Sequence, residues 1–218
     1  MKNINDLTIF FCHNTHYDLD LLDMNIKRSM FLFKNSFYFL FSDGKKISYN
    51  HKNCFCYNND KKLGHKIGCT KGFFKTLGMS QNFYNSTGIA PDAIVFAHDD
   101  VSISNLNLFE KTLNNTIKDI YFREIINNRY YLNNKIYAVF DSIILRPSVY
   151  EKVNFNNVKI PEREKFLPKD KRKSPCPEIF VGDFIKNNLD YTSIKSNQII
   201  QGSVNEFGFY HIKKTRKG

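Results

Sequence analysis

The sequence has no run of the roughly 18 apolar residues that a membrane-spanning helix needs. Its nearest approach, Met30 to Phe41, is broken by Lys34, Asn35 and Ser36. Glycine and proline are scarce, at 10 and 6 residues, and the chain is 42% hydrophobic and 24% charged, which excludes collagenous and disordered classes. Cysteines are few, odd in number and scattered: Cys12, Cys54, Cys56, Cys69 and Cys176. A chain of 218 residues can bury roughly 70% of its unfolded surface without staples, so no disulfide framework is needed. A reducing, cytoplasmic compartment is expected. The first residues, Met1 to Asp6, lead into one short apolar run with no cleavage-site pattern, so no signal peptide is expected. Acidic residues are outnumbered, 21 against 32 basic ones, for a net charge of +11. That favours an anionic partner, and nucleic acid, phospholipid headgroups and a nucleotide-linked substrate all satisfy it. Recurrent Asn-Asn pairs and abundant Lys and Ile point to an AT-rich coding sequence, which accounts for part of the charge.

What is present is an alternation of strands and helices. Leu7 to Cys12 is a continuous apolar run, as in a strand buried on both faces, ending in the polar loop His13-Asn14-Thr15-His16. Leu19, Leu22, Ile26, Met30 and Phe33 have helical spacing. Strands follow at Phe37–Phe41, closed by Ser42-Asp43-Gly44, and at Cys54–Tyr57. A helix over Thr70–Phe83 must accommodate Gly72 and Gly78. Ala93–Ala97 is a strand, residues 105–126 have a helical apolar face through Leu106, Phe109, Leu113, Ile117 and Ile120, and Ile136–Leu145 is a strand stopped by Arg146-Pro147. The segment 154–176, with Lys169-Asp170-Lys171-Arg172-Lys173, is expected to be a surface loop. Phe180–Asn188 is expected to be a short helix, and residues 213–218 form a basic tail. This order predicts a single α/β domain over 1–218 with a mostly parallel central sheet flanked by helices.

The sharpest feature is an apolar strand ending in acids, Ile94-Val95-Phe96-Ala97-His98-Asp99-Asp100. In open α/β sheets ligands sit beyond the carboxyl ends of the strands, so a carboxylate there faces the crevice. Two adjacent acids cannot both point inward, so one faces the ligand and the other the protein. Such a carboxylate can hold Mg²⁺ or Mn²⁺ against a diphosphate, or can simply be a polar strand end.

At these residues the chain resembles nucleotide-sugar glycosyltransferases of the GT-A fold, especially family 2, whose hallmark is a strand followed by Asp-any-Asp. Asp100 matches the second, metal-coordinating acid, and His98 stands where the first is usual. The resemblance implies a nucleotide-sugar-binding half over about 1–104 and an acceptor half over about 105–218. Nucleotide and sugar contacts would come from His13, Asp43, His98 and Asp99, with Asp43 where an acid often reads the base. Ala138 to Pro147 is similar to the family's acceptor-side strand, and Gly64–Phe83 to its helix with nucleotide contacts. A late histidine, His211, would join Asp100 at the metal, or is an ordinary strand residue. The catalytic base would be an acid opening a helix past the acceptor strand. Asp183 after Gly182 is preferred, although it can equally be an N-cap, with Glu178 as the second candidate.

The expectation is therefore a Mn²⁺- or Mg²⁺-dependent glycosyltransferase moving a sugar from a nucleoside-diphosphate donor to a glycan or lipid-linked hydroxyl, with inversion. The basic tail could rest on a membrane surface, and no nucleic acid is expected. Four alternatives compete: a basic nucleic-acid-binding module using its aromatics, a glycosyltransferase fold that only binds, which His98 in place of the first acid keeps open, a metal phosphoesterase built on His13, His16, Asp99 and Asp100, and a zinc site from Cys54, Cys56, His65 and Cys69.

Overall fold

The computed structural model describes residues 4–15, 19–125, 136–160, 177–196 and 202–212. His16, Cys176, the run Lys169–Lys173, Ile199-Ile200 and the tail 213–218 lie outside them. Nine strands are described: β1 (Ile9–Thr15), β2 (Phe37–Asp43), β3 (Cys54–Asn59), β4 (Ala93–His98), β5 (Val101–Ile103), β6 (Ile120–Ile125), β7 (Ala138–Leu145), β8 (Tyr191–Ser196) and β9 (Phe209–His211). The helices are α1 (Leu19–Leu32), α2 (His65–Thr87), α3 (Leu106–Asn115), α4 (Val149–Lys152) and α5 (Pro177–Asn188).

Seven strands form one sheet in the order β3-β2-β1-β4-β7-β6-β8. β1 is parallel to both β2 and β4, β2 to β3, and β6 to β8. β7 alone runs against its neighbours β4 and β6. The sheet is thus mostly parallel but mixed. Buried apolar residues such as Ala138, Val139, Phe140, Ile143, Ile144 and Leu145 show that a strand is central and carry no information on its direction. A second sheet pairs β5 with β9 antiparallel, placing Val101 opposite His211.

Helices cover both faces. On one, Phe10, Cys12, Phe39 and Phe96 pack with Phe73 and Leu77 of α2 and Val181 and Ile185 of α5. On the other, Ile9, Phe11, Leu40 and Val95 pack with Leu22 and Ile26 of α1 and Phe109 of α3. The two glycines that weaken α2 as an isolated helix are where it is approached most closely. A Cβ at position 72 would collide with the Asn14 side chain, and one at 78 with that of Asn156.

Several boundaries differ from expectation, α2 among them, which starts at His65 rather than Thr70 and runs to Thr87. β1 runs on through His13 to Thr15, so His13 is a strand residue rather than a loop residue. The helix expected over 105–126 ends at Asn115, where the Thr116 N–H bonds back to the Leu113 carbonyl, and β6 begins at Ile120. Ile117 is 84% exposed and Ile120 belongs to the sheet, so the apparent apolar face joined two elements. α5 starts at Pro177, a residue suited to a first helical position, and not at Phe180. β8 went unanticipated because its residues are polar and only half-buried, as an edge strand allows.

Gly182 marks the closest approach of α5 to the sheet: an added Cβ would strike the carbonyl of Ile136. The helix cannot yield without dislodging Val181 and Ile185 from the core. Gly182→Ala is expected to lower stability by about 1–3 kcal/mol despite alanine's better helix propensity. Urea denaturation checks this, and a variant as stable as the wild type would show that the approach can relax.

Candidate active site

The chain passes from β1 outward to β2 and β3, then returns to β4 on the other side of β1. That reversal opens a crevice between the carboxyl ends of β1 and β4, where open α/β sheets bind ligands. Thr15 closes β1, His98 closes β4, and Asp99 and Asp100 follow it.

The two acids part company as neighbouring side chains must. Asp99 is 2% exposed and turned to β1, where the Thr15 hydroxyl donates to its Oδ2 at 2.7 Å. Asp100 is turned the other way, its Oδ2 lying 3.4 Å from Nε2 of His211. His98 is half-buried, with its ring 5.4 Å from that of Phe140.

Each of these groups is held by distant chain. Asn25 of α1 donates through Nδ2 to the carbonyls of Asp99 (2.7 Å) and Val101 (3.0 Å). The N–H of Ile212 donates to the carbonyl of Asp100 at 2.9 Å. β9 is itself set by Asn205, whose Oδ1 accepts from the N–H groups of Phe207 and Phe209, and whose Nδ2 donates to Ser142 Oγ on β7. Gly208, at φ +84, closes this turn, and a Cβ there would clash with the Asn105 carbonyl.

Asp43, at the end of β2, is 1% exposed, and its two oxygens accept from the backbone N–H groups of Leu63 (2.9 Å) and Gly64 (3.1 Å). It thereby ties the end of β2 to the loop entering α2, where Gly64 adopts φ 87. Cys69, in the second turn of α2, reports what surrounds this end of the sheet. Burial raises its pKa well above the ordinary value, and the negative charges of Glu178, Asp99, Asp43 and Asp100 raise it further. Four of the predicted acids therefore act on one buried point.

Asp183 is not among them, and it does not open its helix. It is the seventh residue of α5, while Glu178 is in the first turn. With about 1.5 Å rise per residue, Asp183 lies roughly 7.5 Å further along the axis. α5 leads into β8, which is parallel to β4's direction through β6, so its first turn is at the crevice end of the sheet. Position at a helix start, the criterion that favoured Asp183, instead selects Glu178.

The Asp100–His211 pair suits a divalent cation. Two donors on adjacent corners of an octahedron with bonds of about 2.1 Å stand roughly 3 Å apart. Among the described residues no group of three or more His, Cys, Asp or Glu is placed to hold a metal. Further positions would fall to ligand oxygens and water, as is usual for Mg²⁺ sites. The zinc alternative is not assembled: Cys54 and Cys56 pack against one face of the sheet, whereas Cys69 belongs to the core on the other. His16, needed for a phosphoesterase site, lies outside the described residues. Thr15, Asn25 and Asn205 were missed by sequence reasoning. Only Asn205, in the turn-like Asn205-Glu206-Phe207-Gly208, carried a local signal.

No family model matches the chain, and no curated protein matches it. Among the described residues no helix is long and apolar enough to cross a membrane.

His13 forms part of the floor, 4% exposed and stacked on Phe11. Burial pushes its pKa from 6.5 down to about 4, with the Ala97 backbone and the Asp99 carboxylate pulling it partly back. As pH falls, the unfolded chain takes up this proton near 6.5 and the folded chain only near 4. The contribution is therefore intact above 6.5 and lost progressively down to 4, by about 3 kcal/mol. Unfolding free energies of wild type and His13→Gln between these pH values should show a flatter slope in the variant. Equal slopes would mean His13 titrates normally.

Proposed function

We propose that the chain is a GT-A-type glycosyltransferase that transfers a sugar from a nucleoside-diphosphate donor to a hydroxyl of a glycan or lipid-linked acceptor. The observation that carries this reading is the Asp100–His211 pair at the carboxyl end of β4, beside the reversal in strand order. The mostly parallel sheet covered by helices on both faces supports it, as do the acids gathered around Cys69.

Asp100 and His211 would hold Mn²⁺ or Mg²⁺, which would neutralise the departing diphosphate when bound. Asp99, fixed by Thr15, supports the turn that presents Asp100. Asp43 orders the loop beside the donor. Glu178 accepts the proton of the acceptor hydroxyl as its oxygen bonds to the anomeric carbon and the bond from that carbon to the diphosphate oxygen breaks.

Isothermal titration with uridine and guanosine diphosphates, with and without Mn²⁺, is the direct test. Metal-enhanced binding of one of them is expected, and its absence for every nucleoside diphosphate would overturn the reading. Asp100→Asn keeps shape and removes charge, so turnover should fall on the order of 10²-fold or more with the fold intact. Glu178→Gln should lower turnover without weakening donor binding, whereas Asp183→Asn should leave both nearly unchanged. A loss confined to Asp183→Asn would return the base to that residue.

A further inference from the structure

Under the acidic turn is a small cavity of about 20 Å³, bounded among others by Phe11, His13, Asn25, Ser29, Ser102 and Phe209. Two of these residues, each 4% exposed, carry buried polar atoms with no hydrogen-bond partner: His13 Nδ1 and Asn25 Oδ1. The orientation of Asn25 is forced. Its Nδ2 donates to the carbonyls of both Asp99 and Val101, and only the NH₂ end of an amide can do so. Turning the amide over would set its oxygen against two carbonyl oxygens, so Oδ1 cannot leave its side of the residue. A buried acceptor without a donor is costly. A water needs roughly 10–15 Å³ and two to four polar partners, and this cavity supplies the space, both unmatched atoms and the hydroxyl residues Ser29 and Ser102.

We propose that one buried water bridges His13 Nδ1 and Asn25 Oδ1, and that Asn25, so fixed, is the positioning residue for Asp100. The water donates one hydrogen to Asn25 Oδ1 and engages the His13 ring, linking β1 to α1 beneath the crevice. The amide's other end then grips the carbonyls on both sides of Asp100. The Asp100 carbonyl is held in turn by Ile212, next to His211. Three successive carbonyls, those of Asp99, Asp100 and Val101, are thus pinned by side chain and strand, which fixes the backbone from which the Asp100 carboxylate projects. The effect on metal binding rests on the function proposed above; the water and the grip on the turn do not.

A crystal structure of the full chain that resolves ordered solvent should show one water within hydrogen-bond distance of both atoms. An empty cavity, or a water touching neither atom, would overturn the bridge. Asn25→Asp replaces the two donors by an oxygen facing two carbonyls. It should weaken Mn²⁺-dependent binding of the nucleoside diphosphate on the order of tenfold or more, as loss of a group orienting a metal ligand commonly does, while leaving metal-free nucleotide binding unchanged. Asn25→Ser, uncharged and too short to reach both carbonyls, should show the same pattern and serves where Asn25→Asp does not fold. Wild-type metal dependence in a folded Asn25 variant would overturn the positioning role. Should the wild type itself show no metal dependence, the proposed function falls, and the solvent density together with the melting temperatures of the variants still decides the water and the grip.

Discussion

The pairing of β1 with β2 on one side and β4 on the other, both parallel, is the constraint on which the rest of the molecule hangs. Every residue of β1 is buried, so it contributes alternately to the cores of both faces, Phe10 and Cys12 to one and Ile9 and Phe11 to the other. A parallel neighbour can be reached only by a crossover, which sends α1 over one face and α2 over the other face before β4 returns. The crevice follows from that geometry. Strands leave β1 in opposite directions, and the polar residues that terminate β1, β2 and β4 are set around the gap, with the Thr15–Asp99 hydrogen bond joining the ends of β1 and β4.

The electrostatic character of that gap runs against the chain as a whole. A molecule of net charge +11 concentrates Asp43, Asp99, Asp100 and Glu178 around one buried thiol. Two of these carboxylates are compensated by hydrogen-bond donors: Asp43 by backbone amides and Asp99 by a threonine hydroxyl. Asp100 faces an imidazole that is charged only when protonated. A divalent cation would be the simplest way to balance this cluster, and the surrounding basic chain would attract the anion such a cation serves.

Much of this was legible in the sequence, for a definite reason. β1, β2 and β4 are central strands, and continuous apolar runs such as Ala93–Ala97 have no other economical explanation in a chain of this length. The acidic ends of β2 and β4 were equally plain. Direction was not legible, because the apolar positions of β7 read the same whichever way the strand runs, and the edge strand β8 was hidden by its polarity. The fusion of α3 with β6 into one expected helix arose because Ile117 and Ile120 fall in helical register by coincidence of spacing. Within the site, Asp99 and Asp100 could be separated by alternation alone. The supports of those residues could not: Asn25 reaches Asp99 across 74 residues, and Thr15 reaches it across 84. The choice between Glu178 and Asp183 turned on where a helix begins, the feature of a helix that sequence marks least sharply.

The two-stranded sheet of β5 and β9 has a consequence for how the protein comes to exist in time. Ser104 and Gly208, joined at its base, are 104 residues apart, and the chain between them holds β6, β7, α5 and β8. During synthesis the strands that shape the crevice emerge first and can pair among themselves, while Asp100 waits without His211 until β9 has left the ribosome. Closing so long a loop is entropically late in any folding order. A nascent or truncated chain could therefore look folded by its secondary structure and still lack the His211 side of the Asp100–His211 pair, which forms only with the last described strand.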